Sequence, residues 1–277
     1  MTVATRPKRS TVGVELVRLL SQTGDRIFTT ARARELAPEV ALSDAYLGEA
    51  LYHLRRNGWI TSLRRGLYAL SSTVPGVTPV HEFEIAMALV QPAAISHWSA
   101  LNYHGLTEQI PWKTFVLTTT DASVPTRGPS DASDRGYQAG GMWYQFIQTR
   151  PERFFGAERI WVGEARVSIT SLERTLLDGL AMPRYCGGFG EVVYAFGEAL
   201  PRADMDRMVA DAPRLGVAVA KRLGWVLEIH GFEDRHLEEL ADLPVKGYRK
   251  LDANGPAKGG YNSRWMIQEN LPGALSA

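Results

Sequence analysis

Apolar residues in the first part of the chain recur at helical spacing before giving way to short strand-like runs. Between Thr11 and Gln22, Val12, Leu16, Leu19 and Leu20 form one stripe, which predicts a first helix. A Thr-Gly-Asp turn and Phe28 follow. Thr29 and Thr30 then introduce a short helix from Ala31 to Ala37, which Pro38 is expected to end. From Ser43 the stripe returns, with Leu47, Leu51 and Leu54 at i, i+4 and i+7. Ser43 is its natural N-cap, and Asn57-Gly58 supplies a left-handed stop. Trp59, Ile60 and Leu63, then Leu67 to Leu70, read as two strands joined by the tight turn Arg64-Arg65-Gly66. Three helices followed by a hairpin predict a winged helix-turn-helix over residues 1–70.

Residues 71–80, SSTVPGVTPV, contain two prolines, one glycine and no charge, and read as a linker. Beyond them the pattern predicts helices at 82–90 and 96–104 and a strand from Lys113 to Thr119. The stretch from Thr120 to Gly141 is rich in Gly, Pro, Ser and Asp and reads as a long exposed loop. Strands at 142–148, 159–162 and 166–169 suggest a small antiparallel sheet. Thr170-Ser171-Leu172-Glu173 is a capping-box pattern opening a helix through Ala181. Helices dominate from Gly190 to Leu243, notably Pro213 to His230, and a closing strand is expected at 262–268. The expected fold class is α+β: the winged helix-turn-helix, a linker at 71–80, and a larger mixed α/β domain over 81–277.

Charge sharpens this division. The net charge is +1, yet residues 1–70 hold 11 Lys and Arg against 6 Asp and Glu, while the remainder holds 20 against 24. A basic head on a slightly acidic body fits a polyanion-binding module joined to something else. On the third helix Glu49, Tyr52 and Arg56 lie opposite the leucine stripe, with Tyr46 and His53 on the flanks, placed to reach base edges. Arg64 and Arg65 at the hairpin turn suit phosphates or the minor groove. Thr29, Thr30, Arg32 and Arg34 at the second helix, with Ser43 at the start of the third, suit the DNA backbone. Arg6, Lys8 and Arg9 are read as an arm for the minor groove.

Other chemistry is sparse. Cys186 is the single cysteine, so neither a disulfide within the chain nor a cysteine-based zinc site can form, in keeping with a reducing cytoplasm. The first residues carry charges without the apolar core of a secretory signal. The 23-residue charge-free run from Ile85 to Thr107 is long enough to span a bilayer, but Gln91, Pro92, His97, Asn102 and His104 interrupt it, so it reads as two core helices. His97 and His104 are seven apart, too far to chelate one ion on a helix, and no cofactor is expected. No nucleophile elbow or phosphate loop is present. Arg174 and Asp178 read as an ordinary i, i+4 pair rather than a catalytic set.

Four blocks, LRRNGWITSLRRGLYAL at 54–70, ISHWSALNYHGLTEQIP at 95–111, SITSLERTLLDGLAMPRYCGGFGEVVYA at 168–195 and KRLGWVLE at 221–228, resemble the AbiEi-family antitoxins. These belong to bacterial type IV toxin–antitoxin systems that abort phage infection. The resemblance implies a winged helix that binds operator inverted repeats in double-stranded DNA and represses its own operon. It also implies a C-terminal domain that counters a nucleotidyltransferase-like toxin, with no catalysis by the antitoxin itself. The alternative is a stand-alone regulator whose second domain senses a ligand.

Overall fold

The computed structural model describes residues 9–74, 77, 79–125, 136–233 and 235–271, so Arg6 and Lys8 of the expected arm, and the side chain of Arg9, lie outside the described residues. The first elements are α1 (Arg9–Gln22), β1 (Ile27–Thr29), α2 (Thr30–Leu36), α3 (Asp44–Arg56), β2 (Ile60–Arg64) and β3 (Leu67–Leu70). The three strands form an antiparallel sheet in the order β1-β3-β2. Leu16, Leu20, Leu47, Leu51 and Leu54 are buried together with Phe28 and Ile60. This is the winged helix-turn-helix arrangement that the apolar stripes predict.

Local signals act as read, with two adjustments. The end of α3 is a Schellman turn: Trp59 N–H reaches Leu54 O at 2.9 Å and Gly58 N–H reaches Arg55 O at 3.2 Å, with Gly58 at φ +75°. The α-helix ends before Pro38 as expected, but the chain goes on turning. Pro38 sits early in a 3-10 turn, Ala37–Val40, where its missing N–H costs nothing, and Ala41 at φ 57° ends that turn. Ser43 holds the N-cap position of α3, but its hydroxyl makes no capping bond.

The chain continues through α4 (Glu82–Leu89), β4 (Ala94–Ile95), α5 (His97–Tyr103), β5 (Lys113–Thr119), β6 (Tyr137–Ala139), β7 (Met142–Thr149), β8 (Ala157–Val162) and β9 (Ala165–Thr170). After these come α6 (Leu172–Ala181), α7 (Phe189–Ala199), α8 (Met205–Leu215), α9 (Val217–Ile229) and α10 (Arg235–Asp242), then β10 (Arg249–Lys250), β11 (Gly260–Asn262) and β12 (Ile267–Glu269). The fold is α+β. Its larger sheet, ordered β6-β7-β5-β4-β9-β8, is mixed and not antiparallel throughout, because β4 runs parallel to β9 with Ile95 opposite Ile169. Two-residue β4 carries no periodicity of its own, so sequence reasoning missed it. Both parallel strands run directly into a helix through a serine, Ser96 before α5 and Ser171 before α6. Ser171, and not Thr170, caps α6: its Oγ accepts from Arg174 N–H at 3.2 Å and donates to Glu173 at 3.0 Å.

Helices α6 to α9 bury Leu176, Leu177, Phe196, Met208, Ala220 and Leu223 around Trp265. Gly224 is required there, since a Cβ would lie 1.9 Å from the Trp265 ring. Pro213 lies inside α8 instead of opening the next helix, and Gly216 at φ 129° separates α8 from α9. The tail forms a three-stranded sheet, β10-β12-β11, where one strand was expected.

The chain forms two compact units, one of residues 1–91, 123–144 and 162–165, the other of 92–122, 145–161 and 166–277. These limits differ from the 1–70, 71–80 and 81–277 division. Val74 and Val77 of the expected linker are buried in the same core as Leu16 and Phe28, since valines in an uncharged run can cover apolar surface. Within the first unit the Tyr137 hydroxyl donates to Leu63 O at 2.6 Å, and the Tyr144 hydroxyl to Glu82 O at 3.3 Å. The segment read as an exposed loop at 120–141 therefore contributes β6, while its residues 126–135 lie outside the described residues.

Candidate nucleic-acid interface

The side of α3 opposite its leucines is open to solvent. Tyr46 and Tyr52 are 49% and 51% exposed, and Glu49, His53, Arg55 and Arg56 are exposed beside them. Glu49 and His53, one turn apart, stand 3.7 Å from each other. The His53 ring meets Tyr52 edge-on at 5.4 Å, and the Arg55 guanidinium lies 5.9 Å from the centre of the Tyr52 ring. Sequence reasoning passed over Arg55, although its place three residues after Tyr52, in a last turn where cations suit the helix dipole, was visible there.

Arg64 closes β2, and Arg65 with Gly66, at φ +74°, makes the turn into β3. The ladder is irregular between Ser62 and Arg64, which leaves Leu63 pointing into the core at 2% exposure. Both arginines at this turn stay exposed.

The arginines of α1 to β3 whose side chains are described divide into two sets. Arg18 is bound to Glu15, Arg26 to Glu84 and Glu164, Arg32 to Asp25 at 3.0 Å and Glu35 at 3.1 Å, and Arg34 to Asp44 at 2.6 Å. Hydrogen bonds that Arg32 donates to Glu35 and Asp25 hold its pKa above the ordinary value. Arg55, Arg56, Arg64 and Arg65 form no ion pair among the described residues. Among the described residues of α1 to β3, the arginines without a carboxylate are thus those at the end of α3 and at the hairpin turn. Arg32 and Arg34, read from the sequence as backbone contacts, are already engaged within the protein.

The start of α2 is similarly occupied. Thr29 Oγ1 accepts from Arg32 N–H at 3.1 Å as the cap, and Thr30 N–H donates to Gly66 O at 2.9 Å. That second bond ties the start of α2 to the hairpin turn. Thr29 and Arg64 also line one open groove of about 720 Å³ with Arg26, Phe28, Glu84 and Met87. The structure therefore brings Thr29, Thr30, Arg64 and Arg65 together at one place and leaves Tyr46, Glu49, Tyr52, His53 and Arg56 on the helix.

A second polar cluster lies inside the other unit, where the parallel pairing of β4 and β9 sets the blocks at 95–111 and 168–195 side by side. Ser96 Oγ and His97 Nδ1 are 2.9 Å apart, and His97 sits at φ 49°, a region costly for a side chain of its size. Arg174 Nε donates to Asp178 at 2.9 Å, and its Nη1 donates to the carbonyls of Arg153 and Phe155. Among the described residues His97 Nε2 and Asp178 Oδ2 have no hydrogen-bond partner. Burial pushes the His97 pKa down to about 4, with Asp178 opposing the shift, and burial followed by the Asp178 charge pushes the Cys186 thiol well up. At neutral pH the imidazole is uncharged and the thiol protonated. His104, the second histidine of its block, bonds Thr170 O at 2.8 Å. Among the described residues no group of three or more His, Cys, Asp or Glu side chains could hold a metal ion, and no helix is long and apolar enough to cross a membrane.

No protein-family model and no curated protein matches this sequence. Among solved structures, the chain is similar to the crystal structure of the RV2827C protein from Mycobacterium tuberculosis, at 14% identity and a TM-score of 0.66 over 93% of this chain and 90% of that one. That likeness is one of fold.

Proposed function

We propose that this protein is an antitoxin and transcriptional autorepressor of a bacterial type IV toxin–antitoxin operon, working in the cytoplasm by binding and not by catalysis. The observation that carries the DNA-binding half is the partition of arginines. Among the described residues Arg55, Arg56, Arg64 and Arg65 stand exposed without carboxylates, on the two elements by which a winged helix meets a duplex, while Arg18, Arg26, Arg32 and Arg34 are internally paired. In this reading α3 carries base recognition in the operator's inverted repeats, and the hairpin turn carries phosphate contact. The antitoxin half, directed at a nucleotidyltransferase-like toxin, rests on the resemblance. It is supported by the meeting of its two more specific sequence blocks at the β4–α5 and β9–α6 junctions.

The test has two arms. The full chain is expected to repress a reporter driven by the DNA upstream of its gene, and to restore growth when co-expressed with a nucleotidyltransferase-like neighbour. Repression without growth rescue would leave a stand-alone regulator in its place. Absence of both would end the proposal.

A further inference from the structure

We propose that Gly48 is where the duplex comes closest to the backbone of α3, and that the row Gly48–Tyr52–Arg55 is the flank of that helix which docks. The inference rests on the DNA-binding reading above and adds a residue that sets how deeply the helix seats. Gly48 is an interior position of the 13-residue α3 and is exposed. A glycine there costs about 1 kcal/mol relative to alanine, so its presence needs a reason.

The fold supplies none. A Cβ built on Gly48 meets nothing within 4 Å, and its φ is one that any residue adopts. Four other helical glycines are different. A Cβ at Gly13 would meet Leu54 at 3.6 Å, at Gly179 Val192 at 3.0 Å, at Gly197 His230 at 3.3 Å, and at Gly224 Trp265 at 1.9 Å. Each of those faces a side chain of its own fold, whereas Gly48 faces open solvent.

The neighbours of Gly48 indicate what approaches it. Tyr52 and Arg55 follow at i+4 and i+7 on the same flank, with the guanidinium 5.9 Å from the ring centre. Arg55 and Arg56 carry no ion pair among the described residues, which is the charge complement of a phosphate backbone. A helix with side chains is about 10–12 Å across and the major groove about 12 Å wide, so one missing side chain decides how far the helix enters. The occupant is therefore double-stranded DNA, with its wall against the bare backbone at Gly48 and its phosphates toward Arg55.

The experiment compares the full-length chain with Gly48→Ala and Gly48→Gln. It measures Tm and the fluorescence anisotropy of two labelled duplexes, one of mixed sequence and one enriched from a random library by the unaltered chain. Gly48→Ala is expected to raise Tm by about 2–4 °C. It is also expected to weaken binding to the enriched duplex about tenfold, with Gly48→Gln weakening it further. Greater stability with lower affinity is an outcome that a purely structural glycine does not produce. Equal affinity of both variants and the unaltered chain would overturn the inference while leaving DNA binding intact, and so would a fall in Tm for Gly48→Ala. Failure of the unaltered chain to bind either duplex would overturn the DNA-binding reading and this inference with it.

Discussion

Arg174 and Asp178, one turn apart on α6, join at 2.9 Å with side chains only 1% and 2% exposed. The spacing is that of an everyday surface pair, yet the pair is interior. Arg174 also bonds the carbonyls of Arg153 and Phe155 and stacks on the Phe155 ring at 4.4 Å. The arginine thereby ties the loop before β8 to the helix that follows β9. Removing the arginine alone, as Arg174→Leu, leaves a carboxylate buried without its partner and is expected to cost about 3–5 kcal/mol. The double variant Arg174→Leu with Asp178→Leu should recover much of that. Urea unfolding followed by circular dichroism measures both, and a double variant no more stable than Arg174→Leu would show that the stranded carboxylate is not the source of the loss.

His97 makes stability depend on pH in a defined direction. Its folded pKa, about 4, lies below its ordinary value of 6.5, so on acidification the unfolded chain takes up the proton first. The contribution is fully present above about pH 6.5 and is lost as the pH falls through about 4, in total about 3 kcal/mol. His104 is shifted the same way, by burial. His97→Asn removes one titration and suits the φ of 49°, since asparagine tolerates the left-handed region. Thermal unfolding between pH 4 and 7 should therefore show a flatter profile for the variant, and an unchanged profile would remove His97 as its source.

At the hairpin turn, replacing Arg64 and Arg65 with alanine should weaken binding to every duplex. The slope of log affinity against log salt should fall by about 1 for each phosphate that the turn no longer neutralises. Arg32→Ala serves as the contrast. Because its guanidinium is already held by Asp25 and Glu35, its removal should leave that slope unchanged. If instead Arg32 moves the slope and the turn does not, the phosphates are held through α2.

Tyr52, His53 and Arg56 should affect which sequence is bound and not only how tightly. A bidentate arginine–guanine contact is worth about 1–3 kcal/mol of discrimination. Arg56→Ala is expected to lower affinity for a selected duplex by that much more than for mixed sequence. Equal losses on the two would make Arg56 a phosphate contact.

What the sequence determined by itself lies within single elements. The leucines of α3, the Asn57-Gly58 stop and the turn at Arg65-Gly66 each follow from spacings of a few residues, and the winged helix could be read from them. Arg174 and Asp178 were legible as a pair for the same reason, one turn of helix apart. What the tertiary structure alone decided depends on segments far apart in the chain. The parallel pairing of Ile95 with Ile169 turns a two-residue run into a strand and sets Ser96 and Ser171 at adjacent helix starts. Val74 and Val77 become core residues only once α1 and β1 are beside them. Arg32 is neutralised by Asp25, Arg34 by Asp44 and Arg26 by Glu84, and no count of charges along the chain could separate these from Arg55, Arg56, Arg64 and Arg65. Periodicity is set by backbone geometry and is therefore local, whereas burial and charge pairing are set by which surfaces meet when the elements pack.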